Sequence, residues 1–230
     1  MQALFADRRD GGRVLGRMLE GLRGRDDVVV LALPRGGVPV GFELARALGA
    51  PLDVFMVRKL GVPVQPELAM GAVASGGVRV LNPSVVRGLR IPAEVIDEET
   101  RREVEELRRR ERAYRGSRPP PEVRGRTVVL VDDGLATGST MRAAAAAVRQ
   151  MGPARVIVAV PVGAAETCEL LRREVDEVVC AATPEDFFSV GAWYEDFAQT
   201  TDEEVRELLE QAEEERRRRA AAGGMSRQGA

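Results

Sequence analysis

The chain has 230 residues and a formal net charge of −2, a length that suits one sizeable α/β domain and a balance that favours neither nucleic acid nor an anionic membrane as main partner. With no histidine, Ser-His triads, histidine general bases and His-containing metal sites are excluded. Cys168 and Cys180 lack C-x-x-C spacing and read as reduced core thiols; with no signal peptide or long apolar run, the expectation is a soluble cytoplasmic protein.

Asp7 is placed to cap a helix carrying Val14, Leu15, Met18 and Leu19 on one face, a packing element lying across a sheet. Val28 to Leu33 is the first core strand. It runs into Pro34-Arg35-Gly36-Gly37-Val38-Pro39 and a helix from about Val40 to Leu48. A strand, a Gly-Gly turn and a helix start expose backbone N–H groups to an anion, with Arg35 beside them. A tight turn chosen for packing is the plainer alternative. Leu52 to Val57 is the next strand, and Arg58 and Lys59 put two cations at its C-terminal edge, where open α/β sheets bind ligands. A solvated surface pair is the alternative there. Leu60 to Gly77 is rich in Gly and Pro, has no sustained period and reads as mobile, with Glu67 as its only acid. Val78 to Leu81 reads as a short strand, so about 60–81 forms a flexible lid.

Ala93 to Tyr114 is a charged helix (about 93–115) with Glu98–Arg102, Glu105–Arg109 and Glu106–Arg110 at i,i+4; interleaved glutamates make Arg108-Arg109-Arg110 a solvated face. Gly116 and Pro119-Pro120-Pro121 stop it. The chain then reaches its most informative stretch, Thr127-Val128-Val129-Leu130-Val131-Asp132-Asp133-Gly134-Leu135-Ala136-Thr137-Gly138-Ser139-Thr140. The apolar, mostly β-branched run is a strand buried on both faces of a parallel sheet. Two carboxylates end it, a loop of small and hydroxyl residues follows, and Met141 to Met151 is a helix. Free N–H groups at a helix N-terminus, with Thr137, Ser139 and Thr140 hydroxyls and a close-approaching Gly138, make a monophosphate cradle. Without a Gly-Lys-Ser/Thr ending it is not a triphosphate loop, and acids ahead of the loop do not match a dinucleotide fingerprint. Asp132 and Asp133 fit the vicinal hydroxyls of a ribose whose 5-phosphate occupies Ala136 to Thr140.

Val156 to Val162 is another buried strand, followed by a helix from Ala164 to Arg173 and a strand from Val178 to Ala181. Alternating units with short connections predict an α/β fold with a doubly wound, mostly parallel sheet. Pro184 to Phe197 concentrates Phe187, Phe188, Trp193, Tyr194 and Phe197 without a period; about 182–200 reads either as a small C-terminal hood or as aromatics plugging a subdomain core. A single domain of residues 1–200 is thus expected, then a helix over 201–219, its Arg216-Arg217-Arg218-Arg219 run favoured by the helix dipole, and a disordered tail, 220–230.

The strand, acid pair and Thr-Gly-Ser-Thr ending resemble the signature by which type I phosphoribosyltransferases bind 5-phosphoribosyl pyrophosphate (PRPP). The Arg35-Gly36-Gly37 turn is similar to the pyrophosphate loop of bacterial xanthine-guanine enzymes, where a non-proline cis peptide is common, here Pro34–Arg35. Arg58 and Lys59 are similar to the Arg-Lys pair of adenine and orotate transferases. The resemblance, covering roughly Val28 to Phe197, extends to a bacterial group of uncharacterised phosphoribosyltransferases that combine these features with a Val-Gly-aromatic hood. It implies transfer of a 5-phosphoribosyl group from PRPP to a nucleobase-like acceptor. Asp132, Asp133, Lys59 and Arg58 would be the catalytic set, and Arg35, Gly36 and Gly37 the pyrophosphate holders. Phe188 would stack on the base, the Ser189 backbone would meet its edge, Mg²⁺ would be the cofactor, and Glu195, or its neighbour Asp196, would help hold it. By analogy the chain would be a homodimer. Two departures stand out: Ala136 replaces an aspartate of 6-oxopurine transferases, and Lys59, the only lysine, leaves none before the hood, so hypoxanthine and guanine are not expected acceptors. The competing readings are a PRPP-binding regulator without turnover and a hydrolase of the same compound.

Overall fold

The computed structural model describes residues 3–226. Helix α1 (Arg8–Met18) leads to strand β1 (Val28–Ala32), helix α2 (Gly37–Leu48) and strand β2 (Leu52–Val54). Strands β3 (Val57–Val62), β4 (Gln65–Ala74) and β5 (Val78–Leu81) follow, then helices α3 (Pro83–Gly88) and α4 (Ala93–Arg115). The second half alternates β6 (Thr127–Val131), α5 (Ser139–Gln150), β7 (Arg155–Val162), α6 (Ala165–Arg172) and β8 (Glu177–Ala182), ending in α7 (Asp202–Ser226).

Five strands form a parallel sheet in the order β2-β1-β6-β7-β8. The apolar runs are continuous because both faces are covered. Val28, Val30, Ala32, Val129, Val131, Ile157 and Ala159 pack with α1, α2, α4 and α7 on one side. Their alternates Val29, Leu31, Val128, Leu130, Val156 and Val158 pack with α5 and α6 on the other. Asp7 does cap α1, accepting from the Asp10 amide at 2.7 Å. Among the described residues no helix is long and apolar enough to cross a membrane.

Three expectations are corrected. The segment expected to be irregular is a second, antiparallel sheet, β3-β4-β5, lying between α4 and α5. Its glycines hid the alternation, yet they serve close strand contact: a Cβ on Gly71 would come within 2.4 Å of the Val80 carbonyl oxygen. Second, the parallel strand β2 ends at Val54, so Arg58 and Lys59 lie inside β3 and not on the parallel sheet's rim. The chain turns between the sheets at Phe55 and Met56, fixed by bonds from the Phe55 amide to Ala32 and from the Met56 amide to the Ser75 hydroxyl. Third, α7 runs on through Ser226, so residues 220–226 are helical where a disordered tail was expected; 227–230 lie outside the described residues. The arginine run is therefore interior to the helix. Arg216, Arg217 and Arg218 pair with Glu213 and Glu214 a turn earlier, and Arg219 Nη1 donates to the Arg46 carbonyl near the end of α2.

Candidate active site

The rim of the parallel sheet brings two turns together. Strands β1 and β6 are neighbours with Ala32 beside Val131, so the turns that leave them start side by side. After β1 the Leu33 amide bonds the Val131 carbonyl at 2.8 Å, and the Pro34–Arg35 peptide is cis, as the resemblance implied. The Gly37 amide donates to Leu33 O at 3.0 Å and is occupied; among the described residues the Gly36 amide has no such acceptor. A Cβ on Gly36 would lie 2.1 Å from Asp133 Oδ2, and one on Gly37 2.7 Å from Val131 O. Glycine is required there for this contact between turns.

After β6, Asp132 and Asp133 are half-buried. The Asp133 amide donates to Asp132 Oδ1 at 2.9 Å, and Arg8 Nε donates to Asp133 Oδ2 at 2.8 Å. One oxygen on each carboxylate, Asp132 Oδ2 and Asp133 Oδ1, thus has no hydrogen bond from the described residues, an arrangement that suits two adjacent hydroxyl donors. Burial, and then the Asp133 charge, push the Asp132 carboxyl well above the usual carboxylate range. The loop beyond is pinned from below: the Leu135 amide bonds Val162 O, and the Thr167 hydroxyl bonds Ala136 O at 2.6 Å. Gly138 adopts φ +67° as the residue before α5, and Thr137 and Ser139 share a hydroxyl hydrogen bond of 2.7 Å. The first amides of α5 have no intrahelical acceptor, and Ala136, Thr137, Ser139 and Thr140 are exposed, so the cradle is open to a ligand.

The expected cations are dispersed. Adjacent residues of a strand face opposite ways: Arg58 turns to α4, where Nε meets Glu103 Oε2 at 2.5 Å, while Lys59 lines a cleft of about 840 Å³ with Ser139, Thr140, Arg142 and Glu174. Lys59 Nζ also lies 3.3 Å from Glu67 of β4, whose carboxylate is 95% exposed, giving that acid a partner. In this arrangement the two cations do not face one ligand together, and Lys59 is closer in setting to the phosphate cradle than to the Arg35 turn. Arg35 Nη1 is 3.9 Å from Asp202, which also accepts from the Tyr114 hydroxyl. Burial, then Asp202, push Tyr114 up to about 12, so it stays a neutral donor.

The aromatics of the hood divide. Trp193 and Tyr194 are buried in a cluster with Phe5 and Val162, whereas Phe188 is 76% exposed and Ser189 is exposed. The buried Trp193 Nε1 has no acceptor among the described residues. The N-terminal segment pairs with the hood through Leu4 and Phe5 amides to Trp193 O, Glu195 N to Phe5 O and Asp196 N to Ala6 O. Val190 packs on Gly134, where a Cβ would stand 2.5 Å from its Cγ1. The Tyr194 hydroxyl donates to the Asp133 carbonyl at 2.6 Å; burial, and then the Asp133 charge, push that phenol up. The 182–200 segment therefore touches the acid loop, through Val190 and Tyr194, while the Glu195 side chain makes no hydrogen bond or ion pair with the acid pair among the described residues. Those residues contain no group of three or more His, Cys, Asp or Glu side chains able to hold a metal ion. Arg8, Tyr194, Val190 and Thr167 were not singled out from sequence for these contacts. Tyr194 carried a signal as an aromatic of the 182–200 segment, and Val190 as the valine of its Val-Gly run; Arg8 and Thr167 reach the site through long-range packing.

The phosphoribosyl transferase domain profile matches residues 9–195. Two Mycobacterium tuberculosis proteins that carry a provisional phosphoribosyl transferase name are each 51% identical over 209 residues, 91% of this chain and 47% of theirs. The chain spans about half the length of these curated relatives. The crystal structure of TT1426 from Thermus thermophilus is similar at 48% identity and a TM-score of 0.79, covering 89% of this chain and 97% of that one. The chain belongs to the phosphoribosyl transferase domain family.

Proposed function

We propose that the protein binds PRPP and transfers its 5-phosphoribosyl group to a nucleobase-like acceptor, releasing pyrophosphate. The observation that supports this reading is the close approach of Gly36 to Asp133, which brings the turn after β1 against the acid pair. The 5-phosphate takes the open start of α5 with Thr137, Gly138, Ser139 and Thr140. Asp132 Oδ2 and Asp133 Oδ1 accept from the ribose hydroxyls, and pyrophosphate lies at the Gly36 amide with Arg35 near. Positive charge builds on the sugar as pyrophosphate departs, so rate acceleration rests on positioning and fixed charge and needs no protein nucleophile. Mg²⁺ fits a site with few protein ligands: it takes oxygen donors and keeps waters, so PRPP oxygens would hold it, with Asp132 and Asp133 as the nearest carboxylates. When bound it would neutralise the pyrophosphate. Phe188 remains the proposed stacking surface, its exposure leaving a face for a base. A homodimer is part of this reading by analogy alone.

A PRPP-binding regulator is the second reading, favoured by one observation: Arg35, Arg58 and Lys59 each lie within 4 Å of a carboxylate. Incubation with PRPP, Mg²⁺ and a panel of bases, followed by pyrophosphate, separates the readings. Release with one base supports transfer and identifies the acceptor. Release without any base means hydrolysis, binding without release means a regulator, and absence of binding ends all three.

A further inference from the structure

We propose that Arg8 is a positioning residue that joins the ribose acid Asp133 to the hood, so that occupation of the donor site is felt at the acceptor side. This rests on the PRPP reading above. Arg8 opens α1, remote in sequence from both partners, yet its guanidinium stands where three parts of the site meet. Nε donates to Asp133 Oδ2 at 2.8 Å, with side chains only 11% and 16% exposed. Nη1 donates to the Ala198 carbonyl at 2.7 Å, and the guanidinium carbon lies 3.8 Å from the centroid of the Phe197 ring. Phe197 in turn stacks on Tyr194, centroids 5.2 Å apart, whose hydroxyl bonds the Asp133 carbonyl. The third wall is the Arg35 turn, since a Cβ on Gly36 would lie 3.3 Å from Arg8 Nε.

Arg8 thus closes a ring of contacts: Asp133 to Arg8, Arg8 to Phe197, Phe197 to Tyr194, and Tyr194 back to Asp133. A planar guanidinium offers five N–H groups in a fixed fork, so it can bond a carboxylate and a carbonyl at once and present a face to a ring. A hydroxyl donating to Asp133 Oδ1, or an anion arriving beside Gly36, changes the charge that Arg8 faces. The hood must adjust with it, because Arg8 holds the hood by a hydrogen bond and a ring face. A lysine in its place retains the charge and cannot make both contacts.

The chain contains one tryptophan, Trp193, buried in the hood one residue from Tyr194, and its emission reports the hood directly. The test titrates PRPP with Mg²⁺ into wild type, Arg8→Lys, Arg8→Gln and Phe197→Leu, reading binding by calorimetry and the hood by Trp193 emission, with melting temperature as the fold control. Wild type should bind with a saturable emission change. Both Arg8 variants should bind more weakly, by roughly tenfold, and lack the emission change even at saturation, as a one-decade loss of affinity corresponds to one tie removed. Phe197→Leu keeps the Asp133 ion pair; it should bind within about threefold of wild type and also lose the change, which keeps the test open where an Arg8 variant fails to fold. A full emission change in the saturated variants overturns the proposal, as does wild-type behaviour restored by Arg8→Lys, which reduces Arg8 to a charge. Wild-type binding without any emission change overturns it too, leaving the donor reading intact; no wild-type binding heat removes both.

Discussion

At the scale of single residues, the acid pair is where chemistry and stability oppose each other. Asp132 is held above the normal carboxylate range by burial and by Asp133. A carboxyl whose folded pKa is raised adds most to stability below its unfolded pKa, and that contribution is lost as pH rises through the folded value. Asp132→Asn is therefore expected to gain melting temperature relative to wild type on going from about pH 4 to about pH 8; a difference that does not change with pH would refute the shift. The same variant should lose PRPP affinity, since an amide offers the ribose fewer acceptor sites. Asp133→Asn and Lys59→Ala should each lower turnover more than tenfold, at least ~1.4 kcal/mol of barrier. Unchanged rates would remove either residue from the site.

At the scale of elements, α1 and α4 act as supports. Helix α1 can lie close to α2 because Gly12 faces it: an added Cβ would meet Val40 O at 2.4 Å, a backbone atom that does not yield. Gly12→Ala should cost about 1–3 kcal/mol in urea unfolding as α1 is pushed outward, and should weaken PRPP binding by displacing Arg8. A stability loss without a binding loss would separate α1 from the site. Helix α4 is anchored by a buried ion pair, Arg115 Nε to Asp53 Oδ2 at 3.0 Å, and burial pushes the Asp53 carboxyl up despite Arg115. Arg115→Met leaves that carboxylate uncompensated, a loss of about 3–5 kcal/mol at neutral pH. The loss should shrink as pH falls through the raised Asp53 value, because the neutral acid no longer needs the partner. A pH-independent loss would mean the arginine acts through packing alone. Helix α4 also carries Glu103, the partner of Arg58, and Tyr114, the partner of Asp202. An element that the sequence marked as a charged helix thus reaches Arg58 directly and Arg35 through Asp202.

At the scale of the molecule, the readable and unreadable parts differ by the range of their contacts. Val28 to Leu33 and Thr127 to Val131 announce buried parallel strands because every residue is apolar, a pattern set within each segment. The turns after them are equally local, and Arg35, Gly36, Asp132, Asp133 and the 136–140 loop do meet at one rim. The second sheet was hidden because Gly61, Pro63, Pro66 and Gly71 interrupt the alternation, and its strands find each other through pairing that no single segment encodes. The union of residues 4–6 with 193–196 was hidden for the same reason, and with it the route by which Arg8 reaches Asp133. Among the aromatics the core alternative holds for Trp193 and Tyr194, which are buried, while Phe188 is left outside that core.

The adjacency of β1 and β6 has a consequence for ligand choice. Their main-chain ladder sets the gap between the Arg35 turn and the acid pair at one inter-strand step, about 4.8 Å. No side-chain substitution or rearrangement of the antiparallel sheet changes that gauge. Compounds would be sorted first by how far a negative group lies from a neighbouring pair of hydroxyls, and only afterwards by what those groups are attached to.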